Sequence, residues 1–300
     1  MIEGIFVEGL IYSIMALGVF MTFRILDFPD LTVDGSFPLG AAVMATSLVG
    51  GLPVWTGILL ALLAGAVAGT ITAVIHNELK VPSLLAGILT MTMLYSINIR
   101  VLGNKANISL LKQSHMISAL VDATESFMNA GVAQLVLFAL IAALAVILLN
   151  AFFHTDLGLT LGALGGNERM VVAQGSNPKV LKIIGVGVSN SLVALSGAFA
   201  AQYQGFADAS LGVGMVVSGL AMVMIGEFLI RSSKIHWLLI RVIAGAVVYK
   251  AIMFGGRYYG YRIHLTPNDL KLVTGLLIIL SLIITKTDLL SRWKKRHQND

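Results

Sequence analysis

The chain has no cysteine. That excludes a disulfide framework and any thiolate-held metal centre. Charge is nearly as scarce. Asp, Glu, Lys and Arg make up 12% of the 300 residues, about half the share of a soluble domain. No long hydrophilic segment is present either. The longest polar interruptions, 103–131 and 154–182, are each too short to hold a core of their own, so a separate soluble domain is excluded. There is no G-x-x-x-x-G-K-[ST], so the chain does not bind ATP through a phosphate loop. There is no H-E-x-x-H, and the six histidines are scattered, so no metal site is expected. No Gly-x-Ser-x-Gly elbow and no other catalytic set is found.

Hydrocarbon fills the space. Hydrophobic residues reach 57% and mean hydropathy is +0.89. The apolar runs recur near the roughly 20 residues that a spanning helix needs. Breaks at polar or Gly/Pro clusters give nine candidate spans: 3–23, 36–50, 54–75, 83–102, 132–153, 183–203, 210–230, 236–254 and 269–286. The expectation is an all-α integral membrane protein, one permease-like unit over 1–300, with about nine helices and a range of eight to ten. The first run lacks the basic flank and cleavage pattern of a signal peptide, and is expected to be a transmembrane helix. The net charge of +5 fits basic cytoplasmic loops better than a nucleic-acid surface. A cytoplasmic C-terminus puts twelve basic residues inside and five outside. With nine spans the N-terminus is then outside. Arg100 and Lys250 fall near the outer end, where snorkelling is expected.

Sliding the sequence by 178 residues sets the segment from Tyr12 against the segment from Asn190. Phe28 meets Phe206, Asp30 meets Asp208, and Thr32 meets Ser210. The copies start on spans one and six, an odd offset, so they run in opposite directions across the bilayer. This is a weak inverted repeat, with halves of about 1–153 and 183–290, the plan of many transporters.

One stretch gathers charge: "FRILDFPDLTVDGSFPLGA", residues 23–41, holds Arg24, Asp27, Asp30 and Asp34. Pro29 disfavours helix before it, and Gly35 and Pro38 loosen the following turns. Residues 26–38 therefore read as broken, with Thr32 or Asp34 capping a helix that starts near Ser36. Either this is a solvated loop, or it lines a pathway with Arg24 neutralising a carboxylate. Asp30 is positioned to accept the amides around Thr32 and Val33, and Asp208 those around Ser210 and Leu211. In the loop 154–182, Asn167 is a helix cap, Glu168 to Gln174 a short helix, and Gly175 its stop. Met170, Val171 and Val172 then form an exposed apolar tip. The alternative is a helix lying on the membrane surface.

"YSIMALGVFMTFRILDFPDLTVDGSFPLGA" resembles the start of the branched-chain amino acid and ribose class of ABC-transporter permeases. The likeness continues through 157–182 and 191–229. The single compact chain is most similar to the group associated with tryptophan or tyrosine import. It departs from the family at Asp34, where glycine is usual, and at Ile225-Gly226-Glu227. The resemblance implies a permease in a bacterial inner membrane, working as a homodimer with ABC ATPase subunits and an extracytoplasmic binding protein. ATP-Mg would sit on the ATPase, and this chain would carry no cofactor. Path candidates are Arg24, Asp27, Asp30, Thr32, Asp34, Asp208 and Ser210. ATPase-coupling candidates are Asn167, Glu168, Arg169, Met170, Val171 and Val172. The competing function is an ion- or proton-coupled secondary transporter using Asp27, Asp30 or Asp34.

Overall fold

A computed structural model of the chain describes residues 2–111, 113, 116–117, 129–230, 232, 234–260, 272, 274–276 and 278–279. Its helices are α1 (Ile2–Phe20), α2 (Val33–Val49), α3 (Val54–Leu79), α4 (Ser83–Val101), α5 (Ala130–Phe153), α6 (Asp156–Gly166), α7 (Glu168–Ala173), α8 (Pro178–Gln204), α9 (Met215–Leu229) and α10 (Ile235–Gly260). A π-helical turn, Met21–Ile25, extends α1. Two short strands, β1 (Asn107–Ser109) and β2 (Phe206–Asp208), pair antiparallel with Asn107 opposite Asp208.

Local signals set the helix ends. Asn177 caps α8 by accepting the Lys179 amide at 3.0 Å, Pro178 occupies its first turn, and Gly205 closes it at φ 77°. These are the residue types that such positions favour. Among the described residues, six helices are long and apolar enough to cross a membrane: Glu3–Ile25, Val54–Leu79, Ser83–Val101, Ala130–Phe153, Pro178–Gln204 and Ile235–Tyr258. The first and fifth are mostly buried, whereas α3, α4 and α5 turn large apolar side chains such as Leu63, Tyr95 and Ile147 outward. That is the division expected between a bundle's centre and its lipid-facing rim.

α2 and α9 are different. At 17 and 15 residues they reach about 26 and 22 Å, short of a roughly 30 Å hydrocarbon layer. The expected span 36–50 in fact begins at Val33. Thr32 occupies the N-cap without a side-chain cap bond, and Pro38 lies inside the helix. So the break ends sooner than the glycine and proline suggested. Pro38 is the sixth residue of this helix, past the first-turn amides that lack intrahelical partners, so it removes one i→i−4 bond, the one to the Asp34 carbonyl. The expected span 210–230 begins later, at Met215. The last expected span, 269–286, lies outside the described residues apart from six helical positions. Helix α6 was not foreseen.

Several contacts join positions that the 178-residue offset relates. Ser189 Oγ donates to the Gly18 carbonyl at 2.7 Å, and Ser196 Oγ donates to the Ile11 carbonyl at 2.8 Å. Moving Gly18 forward by the 178-residue offset gives Ser196, and moving Ser189 back gives Ile11, so the offset relates the two residue pairs, with the donor on α8 in both. The same exchange relates the packing of Gly219 on Val19 to that of Gly197 near Ala41. Along α1 the partners on α8 run backwards, so these two helices are antiparallel. Positions 178 residues apart also touch at Asp34 and Gly212.

Candidate functional site

Residues 26–32 interrupt the chain among packed helices. An apolar surrounding requires every freed backbone group to find a partner. The Leu26 amide donates to the Met21 carbonyl at 3.0 Å and the Phe28 amide to the Thr22 carbonyl at 2.9 Å. Asp30, fully buried, accepts the Thr32 amide on Oδ1 at 2.8 Å and Asn190 Nδ2 on Oδ2 at 2.7 Å. Asn190 Oδ1 in turn accepts Ser36 Oγ at 2.7 Å, and the Thr32 hydroxyl meets Thr72 Oγ1 at 2.7 Å. One buried polar network thus joins the break to α2, α3 and α8. The repeat copy is similar and wetter. Asp208 Oδ1 accepts both the amide and the hydroxyl of Ser210, at 2.7 and 2.6 Å, with Ser210 exposed. Both aspartates therefore make the local turn expected of them. Asn190 and Thr72 were missed; their only signal was an uncharged polar residue inside an apolar helix.

Asp34 does not cap its own helix. Its carboxylate reaches across to α9, taking the Gly214 amide at 3.0 Å and the Val216 amide at 2.7 Å. Gly214, at φ 85°, gives that helix no side-chain cap, so α2 supplies one. The N-termini of the two short helices meet here, a favourable place for an anionic side chain. Gly212 is needed at this crossing because any Cβ would strike the Asp34 carbonyl.

Arg24 does not neutralise an aspartate of its own stretch. Its Nε sits 2.9 Å from Glu227 Oε1, which also takes Arg241 Nη2 at 3.0 Å. The pair joins the π turn to the end of α9 and to α10, because a helical arginine facing that way reaches α9 rather than the break. Asp27 is exposed, at φ 49° in the left-handed region.

Between the early turns of α1, the start of α9 and the later half of α10 lies a cavity of about 570 Å³. Glu8, Lys250, Tyr12, Tyr203, Met222 and Phe254 are among its walls. Lys250 does not snorkel. Its Nζ is 3.1 Å from Glu8 Oε2 and 3.3 Å from the centre of the Tyr12 ring. A carboxylate and a ring face inside the bundle hold the ammonium better than a reach to the interface. Arg100, by contrast, is exposed on the last turn of α4.

The loop that follows α5 folds into α6 and α7. Asn167 Oδ1 accepts the Met170 amide at 3.2 Å and caps α7. Gly175 follows at φ 83°. Glu168 pairs with Lys182 at 3.2 Å, which pins α7 to α8. Met170 is 45% exposed and Val172 53%, and Arg169 is exposed as well. Val171 is 0% exposed. The expected three-residue apolar tip is therefore two residues, because Val171 faces inward on so short a helix. Gly165 of α6 packs on the Ile25 carbonyl, so the loop touches the end of the π turn.

Comparison with known proteins agrees with this architecture. The family described as the branched-chain amino acid transport system / permease component matches residues 1–282. A tyrosine transport system permease of Clostridioides difficile is 38% identical over 278 residues, covering 93% of this chain and 89% of that one. A ribose import permease of Haemophilus influenzae is 27% identical over 230 residues, 74% of this chain and 67% of that one. The solved PsaBC of Streptococcus pneumoniae, in complex with Fab, shares the fold at a TM-score of 0.53, with 17% identity and coverage of 92% and 89%. With its buried interrupted segments, its lipid-facing rim and a family match across nearly its full length, this chain is a multi-pass membrane protein and belongs to the branched-chain amino acid transport system permease family.

Proposed function

We propose that the chain is the membrane-spanning subunit of an ABC importer that moves a small polar solute, an amino acid, across a bacterial inner membrane. ATP-Mg is bound and hydrolysed on partner ATPase subunits. An extracytoplasmic binding protein delivers the solute, and two copies of the permease assemble around the path. The likeness to a tyrosine permease supports the solute class. The observation that carries the reading is α7. It is a capped helix, pinned by Glu168 to Lys182, that holds Met170 and Val172 out of the fold. Two exposed apolar side chains on a rigid short helix fit a hydrophobic groove on a partner protein. Through Gly165 the loop bears on the Ile25 carbonyl, so force applied at α7 has a short route to the interrupted segment.

Met170→Asp and Val172→Asp put a charge into that contact and are expected to abolish co-purification of the ATPase while leaving yield and insertion of the permease unchanged. Undiminished co-purification of the ATPase with both variants overturns the docking role. The secondary-transport reading assigns coupling to Asp27, Asp30 or Asp34. Asp30 and Asp34 each hold backbone amides, a structural use of the carboxylate, and Asp27 is exposed. Uptake by the chain alone in ATP-free liposomes under an ion gradient is the result that would favour it.

A further inference from the structure

We infer that the cavity between α1, α9 and α10 is a binding site for a zwitterionic amino acid with a bulky apolar or aromatic side chain, held by Glu8 and Lys250. The inference rests on the importer reading for its solute class. Its volume of about 570 Å³ falls in the range of small-molecule sites. The walls are soft and apolar, with Met215, Met222, Met253 and Phe254, and carry the rings of Tyr12 and Tyr203. Methionine and aromatic surfaces adapt to a flat, polarisable side chain.

Two opposite charges stand in this apolar lining. Neither is at a helix end: Glu8 follows six residues after the start of α1, and Lys250 lies well inside α10. Their side chains are 33% and 13% exposed. An ion pair in such a place is no general aid to stability, because desolvation offsets the attraction. It has a use if a ligand replaces each partner with its own opposite charge. An amino acid does this with one molecule. Its ammonium takes the place of Lys250 against Glu8 and near the Tyr12 ring, and its carboxylate takes the place of Glu8 against Lys250. The net charge of the cavity is unchanged. An amine lacking the carboxylate leaves Lys250 unpaired, and an acid lacking the ammonium leaves Glu8 unpaired. Each is a penalised state in a largely apolar lining. The resident pair thus selects for zwitterions, and the side chain then fills the methionine-lined space.

The absence of cysteine permits a direct test. Val217 lines the cavity and is 44% exposed. Val217→Cys, in the full transporter in membrane vesicles, is labelled with a small maleimide in the presence of L-tyrosine, tyramine or 3-(4-hydroxyphenyl)propionate at equal concentration. L-tyrosine is expected to slow labelling at least fivefold, while the amine and the acid leave the rate within twofold. Glu8→Gln and Lys250→Met are each expected to remove the protection. The three-ligand comparison needs neither variant, so their misfolding would not rescue the proposal. Equal protection by all three ligands, or none by L-tyrosine, overturns the site. ATP-driven uptake of L-tyrosine and other amino acids is measured in parallel. Uptake without protection sinks the cavity site and leaves the importer standing. Protection without uptake of any amino acid supports the site and sinks the importer reading.

Discussion

Asp30 has a carboxylate with a backbone amide on one oxygen and a side-chain amide on the other, and no exposure at all. Such a group works as a fixed acceptor for a chain that has left the helix. Asp30→Ala strands the Thr32 amide and one of the two Asn190 Nδ2 hydrogens, the other still donating to the Val186 carbonyl, a loss of about 1–3 kcal/mol. It is expected to lower both folded yield and solute uptake. Asn keeps an acceptor for Thr32 but turns an N–H toward Asn190, so Asp30→Asn should be the milder change in yield and retain measurable uptake. An uptake as fully lost in the Asn variant as in the Ala variant, with normal folded yield, would mean that titration and not hydrogen bonding is the role. This residue was legible in the sequence because its partner amide is two positions away and its repeat mate Asp208 shows the same spacing. Arg24, Asp34 and Lys250 were not legible in this way. Their partners Glu227, the α9 amides and Glu8 lie on other helices, and a single sequence gives no register between helices. Asp34 and Glu227 both turn out to hold α9.

At the scale of elements, the long helices could be placed from hydropathy to within a few residues, because length in a bilayer is a hard constraint. The two short helices were placed about as closely, 36–50 for Val33–Val49 and 210–230 for Met215–Leu229, but what sets their starts was not visible. Their starts are fixed by each other, at a crossing between positions 178 residues apart. That crossing makes a sharp demand on Gly212. In Gly212→Ala the new methyl meets the Asp34 carbonyl and the Pro38 ring, neither of which can swing aside. Overpacking of this kind costs about 1–3 kcal/mol, and the variant is expected to unfold in detergent at a clearly lower temperature than the parent. Gly166→Ala, where a Cβ meets nothing within 4 Å, should match the parent. Equal thermal stability of both variants would show that α2 and α9 do not meet as described. Gly65 and Gly69 offered no such signal alone, since one G-x-x-x-G among 31 glycines is cheap. In the fold both face α8, packing on the carbonyls of Asn190 and Val186, which lets two helices approach closely.

For the whole molecule, the fold sorts the ends of the helices into two groups. One gathers the last turns of α3 with the start of α8, through Asn77 on the Lys179 carbonyl and Glu78 on Lys179, together with α6 and α7. Lys80, Arg169, Lys179 and Lys182 are all at this end. The other holds the β1–β2 ribbon beyond α4 and α8. Basic residues are retained on the cytoplasmic side during insertion, so the first group is expected to be the cytoplasmic one, with the ribbon outward. Among the described residues, Lys80, Arg169, Lys179 and Lys182 of the set counted as inside come together in the fold. Single cysteines in this cysteine-free chain give a clean readout. Ser109→Cys, exposed on β1, is expected to react with a membrane-impermeant maleimide in intact cells. Ser176→Cys, just after α7, should react only once the membrane is permeabilised. The reverse pattern would turn α7 away from any cytoplasmic ATPase and would defeat the coupling role of Met170 and Val172 along with the orientation. Labelling of both positions in intact cells would show that the two ends are not separated by a bilayer, which is incompatible with spans formed by α3, α4, α5, α8 and α10.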